Sequence, residues 1–420
     1  MKKRPLHHLT LQIVIALIAG IITGIVLKFI PSTFIQTYFT NGLLDILGKL
    51  FLDAMKMLVV PVVFVSLVCG TLNLNNGKAL GRMMLKTLML YLITTAIAIT
   101  LGLIISSLFS IGSHANLSTA QTQLHIDAIS SPKAILLHII PVNPIQALAT
   151  GNMLQIIFFA LLIGIAIAFS GKRGKPIANL FESANAILMK LIHLIMMIAP
   201  IGVYALIASI FARVGFSVIV ELLSYFFTVV LTLVLQAVVV YSLFIIVLAR
   251  LNPVIFFKKL YALMVFAFST ASSNASIPIT LETVVEKLGV KNSIASFTVP
   301  LGATINMDGT AIMQGIATVF IANLYHVNLS FTQYLIVILT ATLASIGTAG
   351  VPGVGLITLA MVLKQVGLPI EGIALIMGVD RLLDMLRTAV NVTGDSMVAL
   401  VVGKSEGAFS EVCYKERSGD

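Results

Sequence analysis

The residues best suited to chemistry lie near the end of the chain, in the run GVDRLLDMLRTAVNVTGD at residues 378–395. This run carries three aspartates and two arginines between the apolar stretches IEGIALIM and SMVALVVG. At about 100° per residue, as in an α-helix, its polar side chains fall within one arc of roughly 100°. The arc contains Asp380, Asp384, Arg387, Thr388, Asn391 and Asp395, with Arg381 at its edge.

A charged side chain at the centre of a bilayer costs about 2.5–3.5 kcal/mol, so such groups normally face a protein interior or a cavity. One interpretation of the arc is a structural network in which Asp384 and Arg387, at i and i+3, lock helices together. Carboxylates outnumber arginines in the arc, however, and Thr and Asn accompany them. The composition therefore favours a site for ions and a substrate.

A second polar cluster is the run GATINMDGTAIMQG at residues 302–315. Asp308 follows Asn306 by two residues and precedes Gly309, within an apolar segment. This pattern predicts a local unwinding that frees backbone carbonyls, and carbonyls with one carboxylate suit a hard monovalent cation. The alternative is a helix kink with Asp308 hydrogen-bonded to a neighbouring helix.

Two further features are weaker when taken alone. The runs STASSNASIP (269–278) and SIGTAGVPGVG (345–355) offer hydroxyls and amides to a carboxylate, but on their own they are better interpreted as plain turns. Tyr91, Thr94 and Thr95 share a face of one apolar segment, where Ser and Thr usually bond their own backbone. These three residues are therefore interpreted first as structural.

The elements that hold these residues are membrane-spanning helices. Of 420 residues, 59% are hydrophobic and 10% are charged, a composition that excludes a soluble globular domain. The net charge of +10 comes from Lys and Arg in short loops and tails, which is typical of cytoplasmic loops and does not indicate nucleic-acid binding. Two cysteines, Cys69 and Cys413, do not indicate a disulfide framework or a metal site.

The distribution of basic residues predicts the topology. Six apolar blocks alternate so that every basic loop lies inside, with both termini cytoplasmic and the first helix retained. These blocks lie at 9–30, 43–73, 84–111, 134–170, 184–212 and 217–249. The same rule then requires 260–288, and one of the segments 332–366 and 371–403, to enter the membrane and return on the same side. The Gly- and Pro-rich run at 345–355, which a continuous helix does not tolerate, makes 332–366 the better candidate.

The two re-entrant segments resemble each other. ITLETVVEKLGV (279–290) and ITLAMVLKQVGL (357–368) each follow a Ser- or Gly-rich stretch containing proline, and each precedes a helix with a central asparagine. Since they enter from opposite faces, they predict an inverted repeat, the arrangement in which transporters place substrate and ions at mid-membrane.

Four motifs in order make the chain similar to a known family. These are ASSNASIP, NMDGT (306–310), SIGTAGVPG and the run D-x-x-R-T-x-x-N-x-x-G-D (384–395). Together with IIPVNPIQALATGNMLQIIFFALLIGIAIA (139–168), they resemble the glutamate transporter family, the dicarboxylate/amino acid:cation symporters, over essentially the whole chain.

The resemblance implies an all-α polytopic membrane protein with eight transmembrane helices and two re-entrant helical hairpins, working as an elevator-type transporter and not as an enzyme. It implies one domain over 1–420, with a trimerisation scaffold in 9–73 and 134–212, a transport part in 84–111 and 217–403, and a cytoplasmic tail at 404–420. The expected location is the inner (plasma) membrane of a prokaryote. The expected partners are membrane lipid, two further copies in a homotrimer, an acidic amino acid, and sodium as the coupling ion rather than a cofactor.

The resemblance also assigns roles to residues. Arg387 would hold the substrate's side-chain carboxylate and Asp384 its amino group. The remaining substrate contacts would come from Thr388, Asn391, Ser272, Ser273, Thr310, Val351 and Gly355. One sodium site would use Gly302, Asn306, Asn391 and Asp395, a second Thr304, Met307, Ser345, Ile346 and Thr348, and a third Asp308, Asn306, Tyr91, Thr94 and Thr95. The third assignment reverses the structural interpretation of Tyr91, Thr94 and Thr95.

The chain departs from the family in several places. Archaeal relatives have an arginine where this chain has Ala271, and animal relatives have it where this chain has Met385. Arg381 lies one turn before Met385 and is a candidate substitute that would pair with Asp384. Gln314 stands where proton-coupled animal members have Glu, which argues against proton coupling by that route, and Asn274 interrupts a tip that is usually all serine.

The leading prediction is sodium-coupled uptake of L-aspartate and/or L-glutamate. The main alternative is a C4-dicarboxylate symporter driven by protons or sodium, because succinate lacks only the amino group assigned to Asp384. An intramembrane aspartyl protease pairing Asp308 with Asp395 does not account for Arg387. An ion channel would need a symmetric filter, which the sequence does not indicate.

Overall fold

The computed structural model describes residues 6–30, 32–72, 78–113, 140–213, 217–346, 350 and 352–415. These residues form helices joined by turns, as the composition predicted, and Val290 and Phe409 add an isolated antiparallel bridge.

The described residues up to 235 form seven α-helices. They are α1 (Leu6–Phe29), α2 (Asp45–Leu72), α3 (Lys78–Leu108), α4 (Pro144–Thr150), α5 (Met153–Phe169), α6 (Lys175–Arg213) and α7 (Ser217–Leu235). A π-helical stretch, Ile35–Leu44, leads into α2, and α7 continues without a break through π-helical Gln236–Tyr241 and Ile245–Ala249. Such π-helical stretches often mark functional sites.

The described residues after 252 form eight further α-helices. They are α8 (Pro253–Thr270), α9 (Ser273–Glu282), α10 (Asn292–Ile305), α11 (Asp308–Leu324), α12 (Phe331–Ser345), α13 (Val354–Gln365), α14 (Ile373–Ser405) and α15 (Glu411–Lys415). Helix α8 packs against α9, and α12 packs against α13, so each pair forms a hairpin. The two hairpins coincide with the segments that the sequence predicted to turn back.

The tips of the two hairpins touch. Ala271 ends α8 in the left-handed region, with φ of 47°, and the hydroxyl of Ser272 caps α9 by accepting from Ala275 N at 3.2 Å. The same hydroxyl donates to Gly350 O at 2.7 Å, and Asn274 N donates to that oxygen at 3.2 Å. The first hairpin is therefore anchored to the tip of the second through a backbone carbonyl.

The helices pack in two groups. In one, α6 packs against α1 and α2, and α2 also packs against α5. Glycines permit these close contacts, since a Cβ on Gly24 would lie 2.6 Å from Ala208 O and one on Gly202 would lie 2.2 Å from Phe51 Cγ. In the other, α14 contacts α8, α10 and α11, and α3 lies along α11. Helix α14 is buried over most of its length, which explains how it carries charges.

Among the described residues, three helices are long and apolar enough to cross a membrane. They are Met83–Leu108, Val220–Ala249 and Pro253–Thr270, and the bent pair Lys175–Ile192 and Met197–Ser209 would make a fourth. Pro253–Thr270 is also the helix that packs against α9. Helix α14 carries too many charges to be counted as apolar, and the segment 292–324 is broken at its centre. Length and composition alone therefore identify fewer spanning helices than the eight predicted.

The end of the chain returns to the base of the first hairpin. Lys291 N donates to Ala408 O at 2.9 Å, and Ser410 N donates to Gly289 O at 2.8 Å. The buried Lys259 ammonium donates at 2.7 Å both to Lys287 O and to Cys413 O. These bonds attach the base of the first hairpin to residues 408–413, while Ser272 attaches its tip to Gly350.

Candidate functional site

Arg387 lies at the centre of α14 and is completely buried. Its Nη1 donates to Asp380 Oδ1 at 2.8 Å, and its Nη2 donates to Asp384 Oδ1 at 2.9 Å. The Nε–H has no hydrogen-bond partner in the described part of the chain. The pairing of Asp384 with Arg387 that the structural-network interpretation described is thus present, and Asp380, two turns away, takes the other branch of the guanidinium.

The second oxygen of Asp384 connects α14 to the start of α13. Gly353 N donates to Asp384 Oδ2 at 3.1 Å, and Arg381 Nη1 lies 3.7 Å from the same oxygen. Gly353 has φ of 86°, a left-handed conformation that glycine adopts without steric cost. Arg381 therefore approaches the same carboxylate as Arg387, at the oxygen that also accepts from Gly353 N.

Several residues predicted to contact substrate meet at this point. A Cβ on Gly355 would lie 3.4 Å from Arg387 Nη2 and 3.3 Å from Thr310 Cγ2. A Cβ on Gly350 would lie 2.9 Å from Ser273 Cβ, so Ser273 belongs to the contact between the hairpin tips. Thr388 donates to Asp384 O at 2.8 Å within its own helix, and Val351 lies outside the described residues.

The helix pair α10–α11 is interrupted where the sequence predicted. Asn306 and Met307 leave helical geometry, with ψ angles of 93° and 46°. Asn306 Nδ2 donates to Asp395 Oδ1 at 2.8 Å and to Asn391 O at 3.0 Å, while its own Oδ1 is buried without a partner in the described structure. Gly309 N in turn donates to Asn391 Oδ1 at 2.8 Å. An unpartnered amide oxygen beside a buried carboxylate is a suitable pair of ligands for a cation.

Gly302 completes this group on α10. A Cβ there would lie 2.5 Å from both Asp395 Oδ1 and the hydroxyl oxygen of Tyr91. The structure therefore brings together the residues predicted for the first sodium site: Gly302, Asn306, Asn391 and Asp395.

We expect Gly302→Ala to weaken sodium-dependent substrate binding by roughly 5–150-fold, because forcing a methyl group into a filled site costs about 1–3 kcal/mol. The measurement is aspartate binding to purified protein as a function of sodium concentration. Gly102→Ala is the control, since its Cβ would lie 3.0 Å from the backbone oxygen of Ile312, a close helix contact away from the carboxylates. Equal effects of the two substitutions on sodium dependence would contradict the assignment.

Asp308 begins α11 and accepts four side-chain hydrogen bonds. The donors are Thr95 Oγ1 at 2.6 Å, Tyr241 Oη at 2.8 Å, Gln236 Nε2 at 3.3 Å and Thr94 Oγ1 at 3.4 Å. Thr94 and Thr95 thus face the aspartate, as the third sodium site requires. Tyr91 instead donates to Thr298 O at 3.0 Å, beside Gly302.

The sequence interpretation missed Tyr241 and Gln236. Both lie on the π-helical stretch Gln236–Tyr241, both are buried, and Gln236 Oε1 has no partner among the described atoms. Their polar character within an apolar block was the available signal, since a polar side chain inside a membrane helix usually faces a functional interior.

The second predicted sodium site remains a prediction. The hydroxyls of Thr304 and Ser345 donate within their own helices, to Leu301 O at 2.9 Å and Thr342 O at 2.7 Å. Met307 Sδ accepts from Asn391 Nδ2 at 3.4 Å, and Ile346 is buried at the end of α12. Thr348 lies outside the described residues.

Sequence comparison with known proteins places the chain in a family. The model of the sodium:dicarboxylate symporter family matches residues 9–405. The chain is 34% identical to the proton/sodium-glutamate symport protein of Bacillus subtilis, over 97% of this chain and 95% of the relative. It is 36% identical to the proton/glutamate-aspartate symporter of Escherichia coli, over 95% and 93%, and 33% identical to the C4-dicarboxylate transport protein of Azorhizobium caulinodans, over 96% and 90%. The chain belongs to the sodium:dicarboxylate symporter family, and it is an integral membrane transporter rather than an enzyme.

Proposed function

We propose that the protein is a secondary active symporter that imports acidic amino acids, L-aspartate and/or L-glutamate, coupled to sodium. The observation that carries the proposal is Arg387, a fully buried guanidinium beside Asp384 and the first turn of α13. A planar guanidinium binds a carboxylate through two parallel hydrogen bonds, which suits the side chain of aspartate or glutamate.

The second carboxylate of the substrate has a partner in the same place. Helix α13 has no side-chain cap, so the amides of its first turn are available for an anion, and helix N-termini favour negative charge. Asp384 would receive the amino group of the substrate. Thr310, Thr388, Asn391, Ser272, Ser273, Val351 and Gly355 would complete the contacts, and Arg381 would replace the tip arginine of archaeal relatives.

Sodium would bind at the two groups of oxygen ligands around Asp395 and Asp308. Asp395 with the free Oδ1 of Asn306 supports one site, and Asp308 with Thr94 and Thr95 supports another. A site under the second hairpin would use Ser345, Ile346, Thr348, Thr304 and Met307. Since each cation would offset a buried carboxylate, substrate and ions would stabilise one another's binding.

The two packing groups support an elevator mechanism. The group of α1, α2, α5 and α6 would form the static, trimeric scaffold, and α3 with the helices from α7 onward would carry the substrate across. The family topology would supply eight membrane-spanning helices, two re-entrant hairpins related as inverted repeats, and cytoplasmic termini in a bacterial inner membrane. Lys364 Nζ on α13 donates to Thr150 O at the end of α4 at 2.9 Å, and movement of α13 relative to α4 would break this bond.

Transport of C4-dicarboxylates is the second candidate function. Asp384 already accepts hydrogen bonds from Arg387 and from Gly353 N, so an amino group is not required to satisfy it. A relative that is 33% identical is named a C4-dicarboxylate transport protein. The two candidates differ in whether the amino group of the substrate contributes to binding.

The test is uptake of labelled L-aspartate into liposomes that contain the purified protein, with an inward sodium gradient, a proton gradient or neither. We expect accumulation only with sodium, and competition by unlabelled aspartate or glutamate but not by succinate. Competition by succinate as strong as that by aspartate would favour the dicarboxylate function. Uptake driven by protons alone would refute sodium coupling.

A further inference from the structure

The side chain of Gln314 joins the second hairpin to α11 inside the protein. Gln314 Nε2 donates to Thr358 Oγ1 at 2.7 Å, and each residue is only 2% exposed. A threonine hydroxyl has one proton to donate, and Thr358 directs it to its own helix, with Gly355 O at 3.0 Å and Val354 O at 3.3 Å. Two successive hydrogen bonds, one at each side of the Thr358 hydroxyl, therefore link α11 to the first turn of α13.

This first turn forms the wall of the site opposite Arg387. Gly355 lies against Arg387 Nη2 and Thr310, and Gly353 N donates to Asp384 Oδ2. Helix α13 has a left-handed glycine at its start and no side-chain cap there. The bond from Gly353 N to Asp384 holds the residue before the helix, and the bond from Gln314 to Thr358 holds the same turn from α11.

We propose that Gln314 and Thr358 are positioning residues that hold the first turn of α13 against Arg387 and Asp384, and thereby set the affinity for substrate. The inference rests on the proposed function, because it takes these groups as the substrate site. Neither side chain needs to touch the substrate. Their contribution is pre-organisation: the amides of α13 are held in place before the substrate arrives, so less ordering is needed on binding.

The test is Thr358→Val, which keeps the shape of the side chain but removes its hydroxyl and leaves the buried Gln314 amide without a partner. We expect the KM for aspartate uptake to rise about tenfold, with the maximal rate nearly unchanged, as for a residue that affects binding alone. Thr358→Ser restores the hydroxyl and is expected to return KM close to its original value.

Gln314→Leu tests the same bond from the other side. It leaves Thr358 bonded to its own helix, so it is the milder variant and is informative if Thr358→Val does not fold. We expect a similar rise in KM, and the double variant should show no further increase, because both substitutions remove one interaction.

Thr340→Val is the matched control. Thr340 lies on α12, the other arm of the same hairpin, and it is fully buried with no hydrogen-bond partner for its hydroxyl among the described residues. Removal of this hydroxyl is expected to leave the KM for aspartate uptake unchanged. An unchanged KM in Thr358→Val, or an equal rise in Thr340→Val, would overturn the positioning role.

The inference and the proposed function fail in different ways. If Arg387→Ala takes up aspartate as efficiently as the unmodified protein, the assigned substrate site is wrong and the positioning role falls with it. If Arg387→Ala loses most of its uptake and Thr358→Val keeps the original KM, only the positioning role is wrong.

Discussion

Arg387→Ala is expected to reduce the ratio of maximal uptake rate to KM for aspartate by about 30-fold to several thousandfold. Truncating one partner of a buried, hydrogen-bonded charge pair in a binding contact costs about 2–5 kcal/mol of binding free energy, and each 1.4 kcal/mol corresponds to a factor of ten. Here the loss leaves two buried carboxylates, Asp380 and Asp384, without their shared cation. Uptake into liposomes, with protein folding checked by thermal unfolding and gel filtration, measures the effect.

Arg387→Lys separates charge from geometry. The guanidinium makes two bonds to two different carboxylates at 2.8 and 2.9 Å, whereas one ammonium on a flexible stem does not reproduce that planar fork. We expect the lysine protein to fold more stably than the alanine protein and still to transport poorly. Transport close to that of the unmodified protein would show that position 387 supplies charge alone.

Arg381→Ala is the matched comparison on the same helix. Arg381 lies 3.7 Å from Asp384 Oδ2, a longer contact than either contact of Arg387. Its removal is expected to raise KM severalfold without abolishing uptake, since Asp384 keeps its bonds to Arg387 and Gly353 N. Unchanged uptake in Arg381→Ala would refute its role as a substitute for the arginine of archaeal relatives.

The centre of this site could be predicted because it is local in sequence. Helical spacing alone places Asp384 and Arg387 on one face, and the structure pairs them. The break at Asn306 could also be predicted, because Asn and Gly beside Asp308 disfavour a continuous helix. The same spacing placed Asp380 on the polar face without revealing that it takes the other branch of Arg387. That contact depends on the conformation of a long side chain, which no sequence pattern specifies.

Contacts between distant segments could not be predicted from the residues themselves. Thr94 donates to Tyr91 O at 3.1 Å, as the structural interpretation expected of a threonine in a membrane helix, and also approaches Asp308. The bonds of Tyr241 and Gln236 to Asp308 require the π-helical stretch that turns both side chains inward. The contact of Ser272 with Gly350 depends on how two hairpins meet, so it appears only in the folded chain.

Asp308→Asn is expected to raise the sodium concentration required for half-maximal aspartate binding by about ten- to a thousandfold. The substitution keeps the size of the side chain but removes the negative charge that would offset a buried cation, and such losses cost on the order of 1–4 kcal/mol. The donors around Asp308 come from α3 and from the π-helical stretch after α7, so the substitution also disturbs their common acceptor.

The control is Thr95→Val, which removes the shortest of the four hydrogen bonds to Asp308 and keeps the carboxylate. If Asp308 binds sodium, the valine protein should need more sodium than the unmodified protein but less than the asparagine protein. The measurement is aspartate binding to purified protein over a range of sodium concentrations, at a fixed pH. A loss of stability without a change in sodium dependence would identify the cluster as structural.

The same substitution separates a sodium ligand from a proton carrier. Asparagine resembles a permanently protonated aspartate, since both present a neutral group with one donor and one acceptor side. If Asp308 carried a proton during transport, Asp308→Asn would bind aspartate well at every pH and would need no more sodium than before. If Asp308 binds sodium, acidification does not rescue the asparagine protein, whereas higher sodium does so in part. Aspartate binding measured across pH at two sodium concentrations therefore decides which cation this carboxylate takes.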